Sequence, residues 1–193
     1  MSKDWTGNRR STFATLGASN HVQHERPSND YYATEPRCAE ELLDLGLEIK
    51  NVWECACGEG HLAKVFEKKG ILGKASDLIG RGYGEKGVDF LLQQKKWDGW
   101  IVSNPPYKYA QDFCEHALSL ASNVAMFLKL TFLEGQKRKR FFEKHPPRYV
   151  FVYSSRRKCA LNGHFEKSGS SAASYAWFIW KNDFEGNPTI KWI

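Results

Sequence analysis

Apolar positions along this 193-residue chain fall into two rhythms. Short, nearly unbroken apolar runs ("NVWECAC", "ILGKASD", "GVDFL", "WDGWIVSNPPY", "NVAMFLKLTFLEG") read as strands. Between them lie stretches whose apolar residues recur every three or four positions, the spacing of an amphipathic helix. "EPRCAEELLDLG" predicts a short helix opened by Pro36 and closed by Gly46, with Cys38, Leu42, Leu43 and Leu45 on its apolar side. "HLAKVFEKKG" predicts a second through Leu62, Val65 and Phe66, ended by Gly70. "AQDFCEHALSLAS" is a third, and "QKRKRFFEKHPP" a very basic fourth that two prolines stop. Two aromatic, β-branched runs follow, "RYVFVYSSR" and "SYAWFIWKN", with no helical pattern between them. Alternating strands and helices predict an α/β domain with a mostly parallel, Rossmann-like seven-stranded sheet wrapped on both faces. The last two strands are expected as an antiparallel hairpin at one edge. Residues 1–29 are polar and without a periodic pattern, so they read as a flexible arm ahead of one domain over 30–193.

Composition changes this picture little. The hydrophobic fraction of 41% and charged fraction of 26% are those of an ordinary globular protein with room for a core. No run is long and apolar enough to cross a bilayer, and no apolar signal core follows the first residues, so a cytoplasmic protein is expected. Five cysteines at irregular spacing, with no CxxC pair, are expected as reduced thiols with no metal site. Cys55 and Cys57 stand two apart, and the plain reading of both is small buried residues.

Charge adds more. The net charge is +6, yet between Lys129 and Lys158 ten Lys or Arg stand against two Glu, so the remainder is slightly acidic. Such clustering is the electrostatic footprint expected for a phosphate backbone, although a solvated helix face also produces charge runs.

Candidate chemistry lies where the strands end. In a parallel α/β sheet, ligands bind at the carboxyl ends of the strands, beside the point where strand order reverses. After the first strand comes Glu54-Cys55-Ala56-Cys57-Gly58-Glu59-Gly60, whose glycines let backbone approach a ligand. After the second comes Asp77, about 20 residues on, where an acid accepts from ribose hydroxyls. After the third comes Asp89-Phe90, an acceptor for an exocyclic amine beside a ring able to stack. Taken singly, each also has a structural reading, as packing or as a helix cap. The turn after the first strand has neither GxGxxG nor GK[ST], so a nucleoside without pyrophosphate is indicated. The fourth strand ends in Asn104-Pro105-Pro106-Tyr107, which can neither extend a sheet nor start a helix. An amine conjugated to a ring attacks an electrophilic methyl poorly, because its lone pair is delocalised. Two acceptors holding its hydrogens, the Asn104 side-chain oxygen and the Pro105 carbonyl, favour a pyramidal nitrogen. Prolines stiffen such a turn, and Tyr107 can stack on the planar group. His61 and His164 show no partner at metal or triad spacing and are given no role.

In "ECACGEG", "ASDL", "GVDFL", "SNPPY" and the preceding "DYYATEP" the chain resembles class I S-adenosylmethionine-dependent methyltransferases. Among these it is similar to N6-adenine DNA methyltransferases with an NPPY motif, especially small phage or prophage ones. The resemblance implies the class I methyltransferase fold, S-adenosyl-L-methionine as cofactor, and methyl transfer to adenine N6 in DNA. It places Glu54, Ala56, Gly58 and Gly60, with Cys57, around the methionine part of the cofactor. Asp77 with Leu78 would lie at the ribose, and Asp89 with Phe90 at the adenine. Tyr32 and Thr34 would lie against the cofactor from the amino-terminal side, and Asn104 would border both ligands. Ala56 stands where a full three-glycine pattern has its first glycine.

A target in duplex DNA has to be flipped out of the stack, and the opened backbone has to be held. Lys137, Arg138, Lys139 and Arg140 on the basic helix, with Arg156, Arg157 and Lys158, are the candidates for that contact. The segment 157–174 is long for a plain hairpin loop and is expected to read the target. No room remains for a separate target-recognition domain, so modest sequence specificity is expected, and a monomer is compatible with this reading. The same tetrapeptide occurs in enzymes acting on a glutamine side-chain amide, and related ones in enzymes acting on ribosomal RNA. A non-catalytic, basic DNA-binding module is the remaining alternative.

Overall fold

In chain order the strands are β1 (Tyr32–Thr34), β2 (Val52–Glu54), β3 (Leu72–Asp77), β4 (Glu85–Lys86), β5 (Trp100–Ser103), β6 (Asn123–Lys129), β7 (Tyr149–Val152), β8 (Cys159–Leu161), β9 (Tyr175–Lys181) and β10 (Thr189–Trp192). The α-helices are α1 (Arg37–Leu43), α2 (Ala63–Lys68), α3 (Ala110–Leu120) and α4 (Gln136–Lys144). This computed structural model describes residues 31–161, 163, 165, 173–181 and 184–193. The arm expected over 1–29, and His164, lie outside the described residues.

Eight strands form the main sheet in the order β10-β7-β9-β6-β5-β2-β3-β4. Every neighbouring pair is parallel except those of β9 with β6 and with β7. The apolar runs are continuous because both faces are covered, and within each run alternate residues serve opposite faces. Val124, Met126 and Leu128 of β6, with Ala176, Phe178 and Trp180 of β9, pack under α3 and α4. Ala125 and Phe127, with Trp177 and Ile179, pack with α1 and α2 on the other face. The buried indoles each find an acceptor for their N–H. Trp177 Nε1 donates to the Cys38 carbonyl at 3.1 Å, Trp180 Nε1 to the His145 carbonyl at 2.9 Å, and Trp53 Nε1 to Ser76 Oγ at 2.8 Å.

Three expectations are corrected. The sheet has eight strands rather than seven, and β7 and β9 pair antiparallel without forming its edge. β9 is buried on both faces and inserts between β6 and β7, while β10 runs parallel along β7 as the outermost strand. "GVDFL" is not a strand. The Asp89 carboxylate accepts from the Leu91 N–H at 3.0 Å, and this closes a 3₁₀ turn over Phe90–Leu92 where a strand would need extended backbone. The segment 157–174 is not wholly loop, since it contains β8, which pairs antiparallel with β1 in a separate two-stranded sheet. Among the described residues no helix is long and apolar enough to cross a membrane.

Candidate active site

Strand order reverses between β2 and β5, with β3 and β4 beyond one and β6 and β9 beyond the other. The glycine turn after β2 and the Asn104 turn after β5 therefore flank one crevice at the carboxyl edge, the place where this topology binds ligands.

Asn104 is held by the amino-terminal strand. Its Nδ2 donates to the Tyr32 carbonyl at 3.1 Å and to Thr34 Oγ1 at 2.8 Å. A carbonyl can only accept, so the nitrogen end of the amide has to face β1 and the oxygen end has to face away. That oxygen, Oδ1, is buried and has no hydrogen-bond partner among the described residues. Tyr32 and Thr34, expected as cofactor contacts, are thus placed on Asn104. β1 reaches this position by pairing with β8, with Thr34 opposite Cys159. Pro105 is buried and Pro106 exposed. Pro106 has φ −55° and ψ 125°, which ends the strand and leads into the 3₁₀ turn Tyr107–Tyr109. Tyr107 is fixed by its hydroxyl, 2.9 Å from that of Tyr175. Burial pushes the Tyr107 hydroxyl pKa far above its ordinary value. Lys129 Nζ lies 4.0 Å from the Tyr107 ring centroid, and the Tyr32 ring lies 5.6 Å from it.

At the glycine turn, Gly58 and Gly60 have φ of +55° and +79°, conformations that side chains resist. Aromatic rings lie against their bare backbone. A Cβ on Gly58 would fall 2.1 Å from the Tyr31 ring, and one on Gly60 would fall 2.4 Å from that of Tyr83. The Tyr31 hydroxyl also accepts from the Glu59 N–H at 3.1 Å, and burial pushes its pKa up to about 12. Neither ring was singled out from the sequence, although Tyr31 stands inside "DYYATEP". Asp77 ties the turn to β3, its Oδ2 accepting from the Gly58 N–H and its Oδ1 from the Ile79 N–H, both at 2.8 Å. Each oxygen retains a lone pair for a further donor. Leu78 beside it is 60% exposed, an apolar surface at the strand end. Ala56 is partly buried and Cys57 buried, with the Cys57 N–H donating to the Ser76 carbonyl at 3.0 Å.

Glu54 is 3% exposed, and burial holds its carboxyl well above the usual carboxylate range, with the nearby Asp77 charge adding to the shift. The Ala63 N–H supplies a hydrogen bond, yet Oε2 has no partner among the described residues. Phe90 departs from expectation. Its ring is buried among Trp53, Phe113 and His116, at centroid distances of 5.3, 5.1 and 5.1 Å, so it belongs to the core rather than to a stacking surface. The adjacent Asp89 caps the 3₁₀ turn.

The basic candidates divide. Arg157 is structural: its Nε and Nη2 grip both oxygens of Glu41, at 3.0 and 2.7 Å, and its guanidinium lies 4.6 Å from the Tyr153 ring centroid. With 11% of its side chain exposed it has little left for a backbone phosphate, which corrects that expectation. Arg156 Nη1 donates to Ser174 Oγ at 2.8 Å, and Lys158 joins β8 to the Glu35 segment through its main chain. Lys137, Arg138, Lys139 and Arg140 lie on α4 as expected. His61 is not isolated either, since its Nε2 is 3.1 Å from Glu59 Oε2 and its ring meets Phe165 edge-on at 5.2 Å. Among the described residues no His, Cys, Asp and Glu gather as a metal site, and all five cysteines are free thiols.

Neither a protein-family model nor a curated protein sequence matches the chain. Solved structures do. A proposed RNA methyltransferase from Pyrococcus horikoshii superposes with a TM-score of 0.58 at 15% identity, over 91% of this chain and 98% of that one. A proposed class I S-adenosylmethionine-dependent methyltransferase from Listeria monocytogenes gives 0.56 at 12% identity, over 95% and 69%. A dimethyladenosine transferase from Plasmodium falciparum gives 0.52 at 15% identity, over 77% and 62%. At these identities the likeness is one of architecture: the chain has the class I methyltransferase fold.

Proposed function

We propose that this protein transfers a methyl group from S-adenosyl-L-methionine to the N6 amino group of adenine in DNA, with residues 30–193 as the catalytic domain. The observation that carries the reading is the Asn104 amide, whose nitrogen is fixed by Tyr32 and Thr34 while its buried oxygen is left without a donor among the described residues. A buried acceptor lacking a donor costs on the order of 1–3 kcal/mol, which a substrate N–H removes on binding.

The residues fit the cofactor. The orphaned, buried Oε2 of Glu54 suits the ammonium of a methionine moiety, and the Asp77 carboxylate at the end of β3 suits ribose hydroxyls. Exposed Leu78 offers an apolar face to the adenine, in place of the Phe90 ring. When bound, the cofactor supplies a methyl group on a positively charged sulfur. The protein's part is orientation. Asn104 Oδ1 and the Pro105 carbonyl accept the two amino hydrogens and favour a pyramidal nitrogen with its lone pair aimed outward. Tyr107, tied to Tyr175, provides a fixed aromatic surface for the base. Once methylated, the nitrogen carries a positive charge and loses a proton readily, so a strong base is not required. The +8 segment from Lys129 to Lys158 suits a polyanionic substrate better than a glutamine side chain of a protein.

Nucleoside analysis of DNA from cells making the protein tests this. N6-methyladenine is expected with the wild-type chain and absent with Asn104→Ala, while that variant still binds the cofactor. Unmodified DNA accompanied by methylated RNA or methylated glutamine would replace this substrate with that one.

A further inference from the structure

We propose that the groove between α3 and α4 is a track for the sugar–phosphate backbone of the nucleic acid substrate. The inference rests on the nucleic-acid reading above and deepens it by separating the cations that bind from those that build.

The basic residues of α4 fall into two sets. Arg138 turns inward, donating to the Thr131 carbonyl at 2.7 Å and lying 4.7 Å from the Phe132 ring centroid, and Lys139 pairs with Glu143 at 2.8 Å. These two hold the helix. Lys137, Arg140 and Lys144 form the other set. They stand at i, i+3 and i+7, one face of a helix, and all three are exposed. Among the described residues none of the three has an ion-pair, hydrogen-bond or ring partner.

These three line one side of a groove of about 460 Å³ whose opposite wall is α3 and whose lining includes Leu118 and Phe141. Its acidic lining residue is Glu115, which is already accepting from Gln111 Nε2 at 2.8 Å. Three cations against one carboxylate leave the groove electropositive, and like charges on one helix face repel until a counter-charge arrives. Seven residues of helix span about 10 Å. Successive phosphates of one strand are spaced more widely along the backbone than the roughly 3.4 Å they advance along the axis, so a row of this length meets about two to three of them. Position supports the same occupant. α3 begins immediately after the Tyr107–Tyr109 turn, and α4 follows the end of β6, the parallel neighbour of β5. Both walls therefore start at the edge of the sheet that carries Asn104 and lead away from it, the course a backbone would take on leaving the site.

The salt dependence of binding to a short DNA duplex tests the track, measured on the whole protein without cofactor. In Lys137→Gln/Arg140→Gln/Lys144→Gln the slope of log K against log salt is expected to become shallower by about 2–3, at about 0.9 per lost phosphate contact. Lys68→Gln/Lys69→Gln/Lys95→Gln removes the same formal charge elsewhere and is expected to keep the wild-type slope. A groove variant with an unchanged slope, or a control that changes equally, overturns the track. So does wild-type protein that ignores DNA and binds anionic lipid vesicles. If the wild-type enzyme makes N6-methyladenine while the groove variant keeps its slope, the track fails and the proposed reaction stands. If it neither binds nor methylates DNA, both fail.

Discussion

A carboxamide has one end that donates and one that accepts, and at Asn104 the donating end is used up by β1. The orientation of the accepting end thus depends on Thr34, a residue 70 positions away in sequence. Replacing Thr34 with Val keeps its shape and removes one acceptor for Nδ2. A loss of about 1–2 kcal/mol of orientation corresponds to a kcat lowered roughly 5- to 30-fold. Cofactor affinity is expected to change by less than about twofold, and Thr34→Ser is expected to restore kcat; steady-state kinetics beside cofactor titration separate the two effects. Glu54 makes a prediction about protons. Burial raises its pKa in the native protein, so relative to the unfolded chain its contribution to stability is present below the ordinary carboxylate pKa and is lost as pH rises through the raised value. An ammonium placed beside it reverses the shift and expels the proton. Cofactor affinity should therefore tighten with rising pH and level off once pH exceeds the raised pKa, with proton release visible as a buffer-dependent heat in calorimetry. Glu54→Gln should flatten that dependence.

At the scale of elements, what could be read from the chain was governed by how local the cause was. The four helices and the strands β2, β3, β5, β6, β7 and β9 follow from spacing and punctuation carried within about a dozen residues. The 3₁₀ turn at Phe90 was hidden because Asp89 makes a side-chain bond that apolar patterning cannot register. β1 and β8 were hidden for a different reason: each is three residues long, and each exists only because the other lies beside it. The glycine turn and the Asn104 turn were legible because proline and glycine act locally. The fate of Arg157, gripping Glu41 of α1, was not, since nothing in a charge run says which cation has a distant carboxylate. α4 shows how much one apolar residue decides. Phe141 is its one fully buried side chain, touching Phe132 and Trp180. Phe141→Ala is expected to cost about 3–5 kcal/mol in urea unfolding and to weaken nucleic-acid binding with every charge intact.

Across the whole molecule, two apolar layers sandwich the sheet, and every cysteine is enclosed to some degree. Cys38, Cys55, Cys57 and Cys114 are buried and only Cys159 is partly accessible. Burial pushes the Cys57 thiol up to about 12, which leaves almost no thiolate near neutrality. Titration with a thiol reagent at pH 8 is accordingly expected to find at most one fast-reacting group in the native protein and five after unfolding. The pairing of β1 with β8 also fixes an order of events. Residue 34 meets residue 159 across more than half of the chain, so a growing polypeptide can lay down the glycine turn and the neighbouring strands β2, β3, β5 and β6 before the partner of β1 has emerged. Contacts of such separation are slow to form, because the loop they close must first lose its freedom. The Asn104 amide is then among the last groups to acquire its direction, and in a newly made molecule the crevice at the carboxyl edge takes shape before the Asn104 oxygen is aimed.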